Sequence, residues 1–428
     1  MKKREARERS TGVPGKNDYE PIPTCGEVLR GGRLLDLVRD SRTGEERILH
    51  WHEGRSTITP KLEFDERHYV PPENAATLRH LPSKPEPYTS TERLFEKVRE
   101  FAARSLAADK DEAALLAYFC FASFFGDCLG NSPCLMLFGP FHGAAISVLR
   151  FLGCVCRHPV LLADSGLHGL LRDLRPTRLM CQPDSGLSRF LPAMQFSGFE
   201  ISDRGLPQLN GATAVYVGDS ELKSLFANAG LQMPLSPLFR PFSPQEEARE
   251  IVTVTSLQNQ LLLYRLQNFA LVKSSEFDVP EFGGSTRDLA RALGQRVVDA
   301  PDLQARLLDL LKPRNDAERT EATRGPDAIV VEALVVACHG RRPSIRVGEV
   351  SELANAILTR NGEYLQLTPK EVGAKLKRLG FRTTRLDSAG RGIYLLKDQC
   401  VRIHQLGRAL GVPTLRAGLP GCSFCAGN

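Results

Sequence analysis

At 428 residues, with 42% hydrophobic and 25% charged residues, the chain is too long for a single compact core and has the composition of a soluble globular protein of two or three domains. No run approaches the roughly 18 uninterrupted apolar residues that a membrane-spanning helix needs, so a membrane partner is not expected. Six of the eleven cysteines, Cys120, Cys128, Cys134, Cys154, Cys156 and Cys338, lie in apolar surroundings. They read as buried free thiols of a cytoplasmic protein rather than a disulfide framework.

Met1 to Ser10 is rich in Lys and Arg with no apolar run behind it, which fits neither a secretory signal nor an organelle presequence. Residues 1–23 are read as a disordered basic tail. Residues 24–87 form a β-rich subdomain and a Pro-rich linker. Its short β-like runs, Leu34 to Val38, Arg47 to Trp51 and Ser56 to Thr59, are separated by turn signals such as Arg42-Thr43-Gly44. His50 and His52 flank Trp51, but a His-x-His pair with no further ligand nearby is read as a strand face rather than a metal site.

Residues 88–325 are read as an α/β core. Thr89-Ser90-Thr91-Glu92 offers a cap for an amphipathic helix reaching about Ser105, and Asp111 to Phe125 is an apolar, buried helix. Strands then alternate with helices: Cys134 to Phe138, a helix from Ala144 to Cys156, then strands at Val160 to Ala163, Leu179 to Cys181 and Ala214 to Val217. One long helix is expected from Gln245 to about Leu271, and two more between Thr286 and Leu311.

Residues 326–411 carry three helices, Ala328 to Cys338, Val347 to Thr359 and one capped by Thr368 that runs to Leu379. Strand, Gly-rich turn and strand follow between Phe381 and Leu396, then a last helix. That is the order of a winged helix. Between Arg341 and Arg408 there are fourteen Lys/Arg against six Asp/Glu. This local excess of eight exceeds the net +6 of the whole chain, so the remainder carries about −2. Such a footprint suits a polyanion, DNA or RNA. Val372, Leu376 and Leu379 form the expected core face of the third helix. Lys370, Lys375, Lys377 and Arg378 are expected to point outward, joined by Arg382, Arg385 and Arg391 of the wing. In the tail, 412–428, Cys422 and Cys425 form a CxxC, half a zinc site that His404, Cys400 or a second chain would have to complete.

The stretch after the first core strand, Gly139-Pro140-Phe141-His142-Gly143-Ala144-Ala145-Ile146, stands where G-x-x-x-x-G-K-[ST] would cradle phosphates. Ala144 replaces the second glycine, Ala145 the lysine and Ile146 the hydroxyl ligand of Mg²⁺. Phe141 and His142 add bulk where small residues permit close approach. By pattern alone this is equally a plain strand-to-helix turn.

The runs "LMLFGP", "VLRFLGCVCRHPVLLAD", "LRPTRLMCQPD", "LLLYRLQNFALVKSSEFDVPEF" and "LTPKEVGAKLKRLGFRTTRLDSAGRGIYLL" together resemble bacterial helicase-like, AAA+-like P-loop proteins over roughly Cys25 to Cys425. The resemblance implies a RecA/AAA+-type parallel sheet with a C-terminal winged helix. It also aligns Leu179-Met180-Cys181-Gln182 with the strand that ends in Asp-Glu and binds Mg²⁺. Neither carboxylate is there, although Asp184 lies two residues on. Asp219 falls at a sensor-like position, and Arg240, between prolines, is an arginine-finger candidate as well as an ordinary surface arginine.

Losing Lys, Ser/Thr, Asp and Glu together removes the charge neutralisation on which phosphoryl transfer depends. The expected protein is therefore a DNA-binding, helicase- or AAA+-like pseudo-ATPase, acting as a scaffold or complex subunit, with protein partners or as a homo-oligomer. No cofactor is expected, with ATP-Mg²⁺ returning only if the loop is compensated and zinc only at the CxxC. Two alternatives stand beside it: an active DNA-dependent ATPase with unorthodox ligands, and a winged-helix regulator with a sensor core.

Overall fold

The computed structural model describes residues 21–128, 133–162, 177–180, 212–217, 230–361, 363, 366–387, 390–416 and 422–425. The packing separates two units. One comprises Met1–Pro280 with Arg287–Leu310, the other Glu281–Thr286 with Leu311–Asn428.

The first unit opens with two small sheets rather than one meander. β1 (Pro21–Pro23) pairs in parallel with β7 (Arg67–Val70), which pairs antiparallel with β6 (Leu62–Phe64). β2 (Gly26–Leu29), β3 (Arg33–Arg39), β4 (Glu46–His52) and β5 (Arg55–Thr59) form an antiparallel sheet in chain order. β3 is buried along five consecutive residues, Leu34 to Val38, so both of its faces are covered.

Two helices precede the main sheet. α1 (Thr91–Leu106) is capped by Ser90, whose hydroxyl accepts the Arg93 N–H. α2 (Lys110–Ser123) begins with a reciprocal capping box between Asp109 and Glu112 and is buried from Leu116 to Ser123. Around it Phe95, Phe121 and Tyr264 stack at 5.0–5.6 Å between ring centroids.

The main sheet is five-stranded and parallel throughout. Its strands are β8 (Cys134–Phe138), β9 (Pro159–Leu162), β10 (Thr177–Met180), β11 (Thr213–Val217) and β12 (Leu231–Pro234), in the spatial order β12-β8-β11-β10-β9. α3 (His142–Val155) follows β8. Apolar runs such as Cys-Leu-Met-Leu in β8 and Thr-Ala-Val-Tyr-Val in β11 are buried end to end, as strands covered on both faces must be. The arrangement is mixed α/β, built on one parallel sheet. The helix expected as one piece from Gln245 is two, α4 (Pro244–Arg249) and α5 (Ile251–Ser274), because Glu250 leaves helical geometry at φ −90°, ψ 7°.

A buried ionic network joins the small sheet to the core. Asp36 of β3 receives Arg157 at 3.1 Å, Arg265 at 2.9 Å and His158 at 3.0 Å. Asp127 receives the same two guanidinium groups at 3.2 and 2.7 Å. Two carboxylates and two guanidinium groups balance, so the charges compensate one another out of water. Burial alone raises the Asp36 carboxyl, but Arg157, His158 and Arg265 outweigh it and hold the group well below the usual carboxylate range. Burial and then Arg157 push His158 down, which keeps its ring neutral. In the run Cys154-Val155-Cys156-Arg157-His158 both cysteines are buried, and Arg157 and His158 pair with Asp36.

α6 (Gly284–Gly294) and α7 (Pro301–Arg324) follow, the second running well past the expected Leu311. The second unit then holds α8 (Pro326–His339), β13 (Ser344–Arg346), α9 (Val347–Arg360), α10 (Pro369–Arg378), β14 (Thr384–Asp387), β15 (Gly390–Tyr394), α11 (Lys397–Ala409) and the short α12 (Pro413–Arg416). β13 was not anticipated; it makes the hairpin a three-stranded antiparallel sheet, β13-β15-β14. Ile329, Leu334, Val350, Ile357, Val372, Leu376, Ile393 and Ile403 form its core. Among the described residues no helix is long and apolar enough to cross a membrane.

Candidate nucleotide site and nucleic-acid interface

β8 lies between β11 and β12, while the chain leaves it for β9 at the far edge of the sheet. The strand order reverses at β8, and in open parallel sheets the crevice beyond the carboxyl end of such a strand is where ligands bind. Gly139 stands at that end with φ 129°, a conformation that favours glycine. Its carbonyl accepts the Tyr216 hydroxyl at 2.8 Å, and the Leu235 N–H closes on the Phe138 carbonyl at 2.8 Å. Tyr216 went unnoticed in the sequence, since nothing there marks a strand-end tyrosine as a neighbour of Gly139.

The helix after the turn starts at His142, two residues before the expected Ala144. Only Gly139, Pro140 and Phe141 remain outside it, and Gly143, Ala144, Ala145 and Ile146 lie within it. Ala145, at the lysine position, is buried with 1% exposure. Ala144 and Ile146 are half-buried, and Gly143 is exposed. Phe141 and His142, expected to crowd the loop, lie at the surface instead; Phe141 is 37% exposed and the His142 ring sits 5.4 Å from that of Tyr216. No side chain caps the first turn of α3.

Cys181, Gln182, Asp184 and Asp219 lie outside the described residues. The strands that lead to them, β10 and β11, end at Met180 and Val217, and β11 separates β10 from β8. Arg240 is exposed on the segment leaving β12, its backbone N–H held by the Leu106 carbonyl at 2.8 Å and its neighbours Phe239 and Phe242 buried.

In the second unit Val372 and Leu376 are buried and Leu379 partly so, as their spacing required. Thr368 and Glu371 close a reciprocal capping box that fixes the start of α10. Of the basic residues expected to point outward only Lys375 is half-buried, while Arg378 and Arg391 are exposed but engaged with neighbours. Asp327, at the start of α8, takes Lys375 at 3.3 Å and also binds Arg378. Lys375 keeps only 19% of its side-chain surface. Arg391 turns back onto the Thr383 carbonyl at 2.7 Å. Lys370, Lys377, Arg382 and Arg385 are exposed. An open groove of about 640 Å³ runs between the start of α9, the first turn of α10 and the hairpin, with Arg346, Lys370 and Arg391 on its walls beside Glu349 and Glu352. Glu349 is committed to the Arg346 N–H at 2.9 Å.

Among the described residues, two groups of side chains have ligand atoms close enough to share a metal ion. In the first unit, Glu247 with His80 and Cys154 is already met by Arg79, by His80 at 2.7 Å and by Arg150 at 3.7 Å. Two guanidinium groups there do the work of a cation. In the second unit, Cys422 and Cys425 meet His404 and also His339, which the sequence reading did not single out.

No protein-family model and no curated protein matches the chain. Among solved structures, the apo C-terminal region of NrS-1 aligns over 84% of this chain and 96% of its own, at 10% identity and TM-score 0.34. Drosophila ORC bound to DNA aligns over 79% and 91%, at 14% identity and TM-score 0.18. Cdc6p from Pyrobaculum aerophilum aligns over 69% and 92%, at 12% identity and TM-score 0.17.

Proposed function

We propose that the chain is a DNA-binding protein on a P-loop/AAA+-like core that has given up standard ATP hydrolysis and serves as a scaffold or complex subunit. The observation that carries this reading is the exposure of Lys370 and Lys377 on α10 and of Arg382 on the segment that leads into the hairpin. These residues lie on a module of three helices and a hairpin whose third helix buries Val372 and Leu376. In a winged helix those are the surfaces that meet duplex DNA. The absence of lysine and hydroxyl at Ala145 and Ile146 supports the second half of the reading, and so does the short turn, which leaves three residues to wrap a phosphate.

The test is a duplex-binding titration across salt concentrations, paired with ATP-Mg²⁺ titrations with and without duplex. Salt-sensitive duplex binding with silent nucleotide titrations is the expected result. DNA-stimulated ATP turnover would transfer the reading to an active ATPase, a single high-affinity operator at physiological salt to a regulator, and no duplex binding at low salt would end it.

A further inference from the structure

We infer that His339, His404, Cys422 and Cys425 bind one zinc ion that pins the C-terminal CxxC onto α8 and α11. All four ligand atoms lie within 4.8 Å of one another. A tetrahedral zinc site with Zn–N bonds of about 2.05 Å and Zn–S bonds of about 2.3 Å has edges of roughly 3.3 Å between nitrogens and 3.6 Å between nitrogen and sulfur. The Nε2 atoms of His339 and His404 are 3.3 Å apart, Cys422 Sγ is 3.6 Å from His404 Nε2, and Cys425 Sγ is 3.1 Å from His339 Nε2. Three edges of a coordination tetrahedron are thus in place to within about half an ångström, and the other three are bounded by the 4.8 Å limit.

The surroundings orient the ligands as a metal site requires. His404 is buried, and its Nδ1 lies 2.7 Å from the Cys400 carbonyl. Donating there places the proton on Nδ1 and turns the Nε2 lone pair toward the other three ligands. The Cys425 N–H bonds to the Cys422 carbonyl at 3.2 Å, which folds the CxxC into a tight turn with both thiols on one side. Arg408 of α11 clamps that turn through the Phe424 carbonyl at 2.8 Å.

Two thiolates and two imidazoles select zinc over calcium or magnesium, which prefer oxygen. Four protein ligands leave no open position, so the role is structural, and binding releases the two thiol protons. Helices far apart in sequence, α8 and α11, supply one histidine each. The tail therefore closes the module, independently of whether the module binds DNA.

The full chain purified under reducing conditions is expected to carry one equivalent of zinc by elemental analysis. Cobalt(II) added to the chelator-stripped protein should give the intense visible bands of tetrahedral thiolate coordination, saturating at one equivalent. His339→Ala and Cys425→Ser should each weaken cobalt binding at least tenfold, while Cys338→Ala, beside the cluster but outside it, should bind as the parent does. Should either ligand variant misfold, the cobalt titration of the parent chain still decides. Absence of stoichiometric metal, octahedral cobalt spectra, a Cys422–Cys425 disulfide in the native protein, or undiminished binding by folded ligand variants would each overturn the inference.

Discussion

Ala145 occupies the position where a phosphate-binding lysine would stand, and its methyl group packs into the core. Restoring the missing residue would therefore not restore the chemistry. Ala145→Lys would drive an ammonium into an apolar interior, at a cost of about 3 kcal/mol or more. Denaturant titration should show that loss, and ATP-Mg²⁺ titration should show no gained affinity. Asp36 is the opposite case, a buried charge whose partners are all in place. Asp36→Ala leaves Arg157 and Arg265 short of a counter-charge and should destabilise the chain by about 3–5 kcal/mol.

The same network sets a pH dependence. Asp36 and Asp127 have folded-state values below their usual range, Asp127 because Arg157 and Arg265 outweigh its burial. Their contribution is complete above about pH 5 and is lost as pH falls through the carboxylate range and below. The depressed His158 acts in the same direction, since the unfolded chain takes up its proton first, near the ordinary histidine value. Denaturation midpoints should thus fall progressively on acidification from about pH 6.5, and Asp36→Asn should flatten the lower part of that profile. The pairing partners were not legible. Asp36 lies 121 residues from Arg157 and 229 from Arg265 in the chain, and no local pattern links such positions.

At the scale of elements, the hairpin depends on Gly392. It stands opposite Arg346 in the β13–β15 pair, where a Cβ would meet the Ile345 carbonyl and lie 2.9 Å from Arg346 Cα. Backbone cannot yield as a flexible side chain does, so Gly392→Ala should cost about 2 kcal/mol or more and loosen the wing, measurable as faster amide exchange across β13 and β15. α10 was legible almost to the residue because capping and periodicity are local signals, and Thr368, Pro369 and Glu371 act on their own backbone. β13 was missed because three residues are too few for a periodicity to register. Lys375 was expected to point outward for a similar reason, since Asp327, which draws it in to 19% exposure, lies 48 residues away in the chain.

That correction carries over to the whole molecule. If Lys370, Lys377 and Arg382 each neutralise a phosphate, the logarithm of the duplex binding constant should fall with the logarithm of salt concentration with a slope of about −3 or steeper. Lys377→Ala should reduce the slope by about 1 and weaken all sequences alike, whereas Lys375→Ala, already paired with Asp327, should change it little. Fluorescence anisotropy over a salt series measures both.

What the sequence determined by itself was whatever depends on neighbours along the chain. The apolar strand runs, the helix caps, the missing lysine and hydroxyl after Gly139, the basic excess between Arg341 and Arg408 and the CxxC at 422–425 are all of this kind. The tertiary structure decided what depends on distance in space. It brought Tyr216 to Gly139, buried Ala145, paired Lys375 and Arg378 with Asp327, and set His339 and His404 around Cys422 and Cys425. Burial and partnership are properties of packed elements, and residues tens to hundreds of positions apart acquire them only when the helices and strands that carry them close on one another.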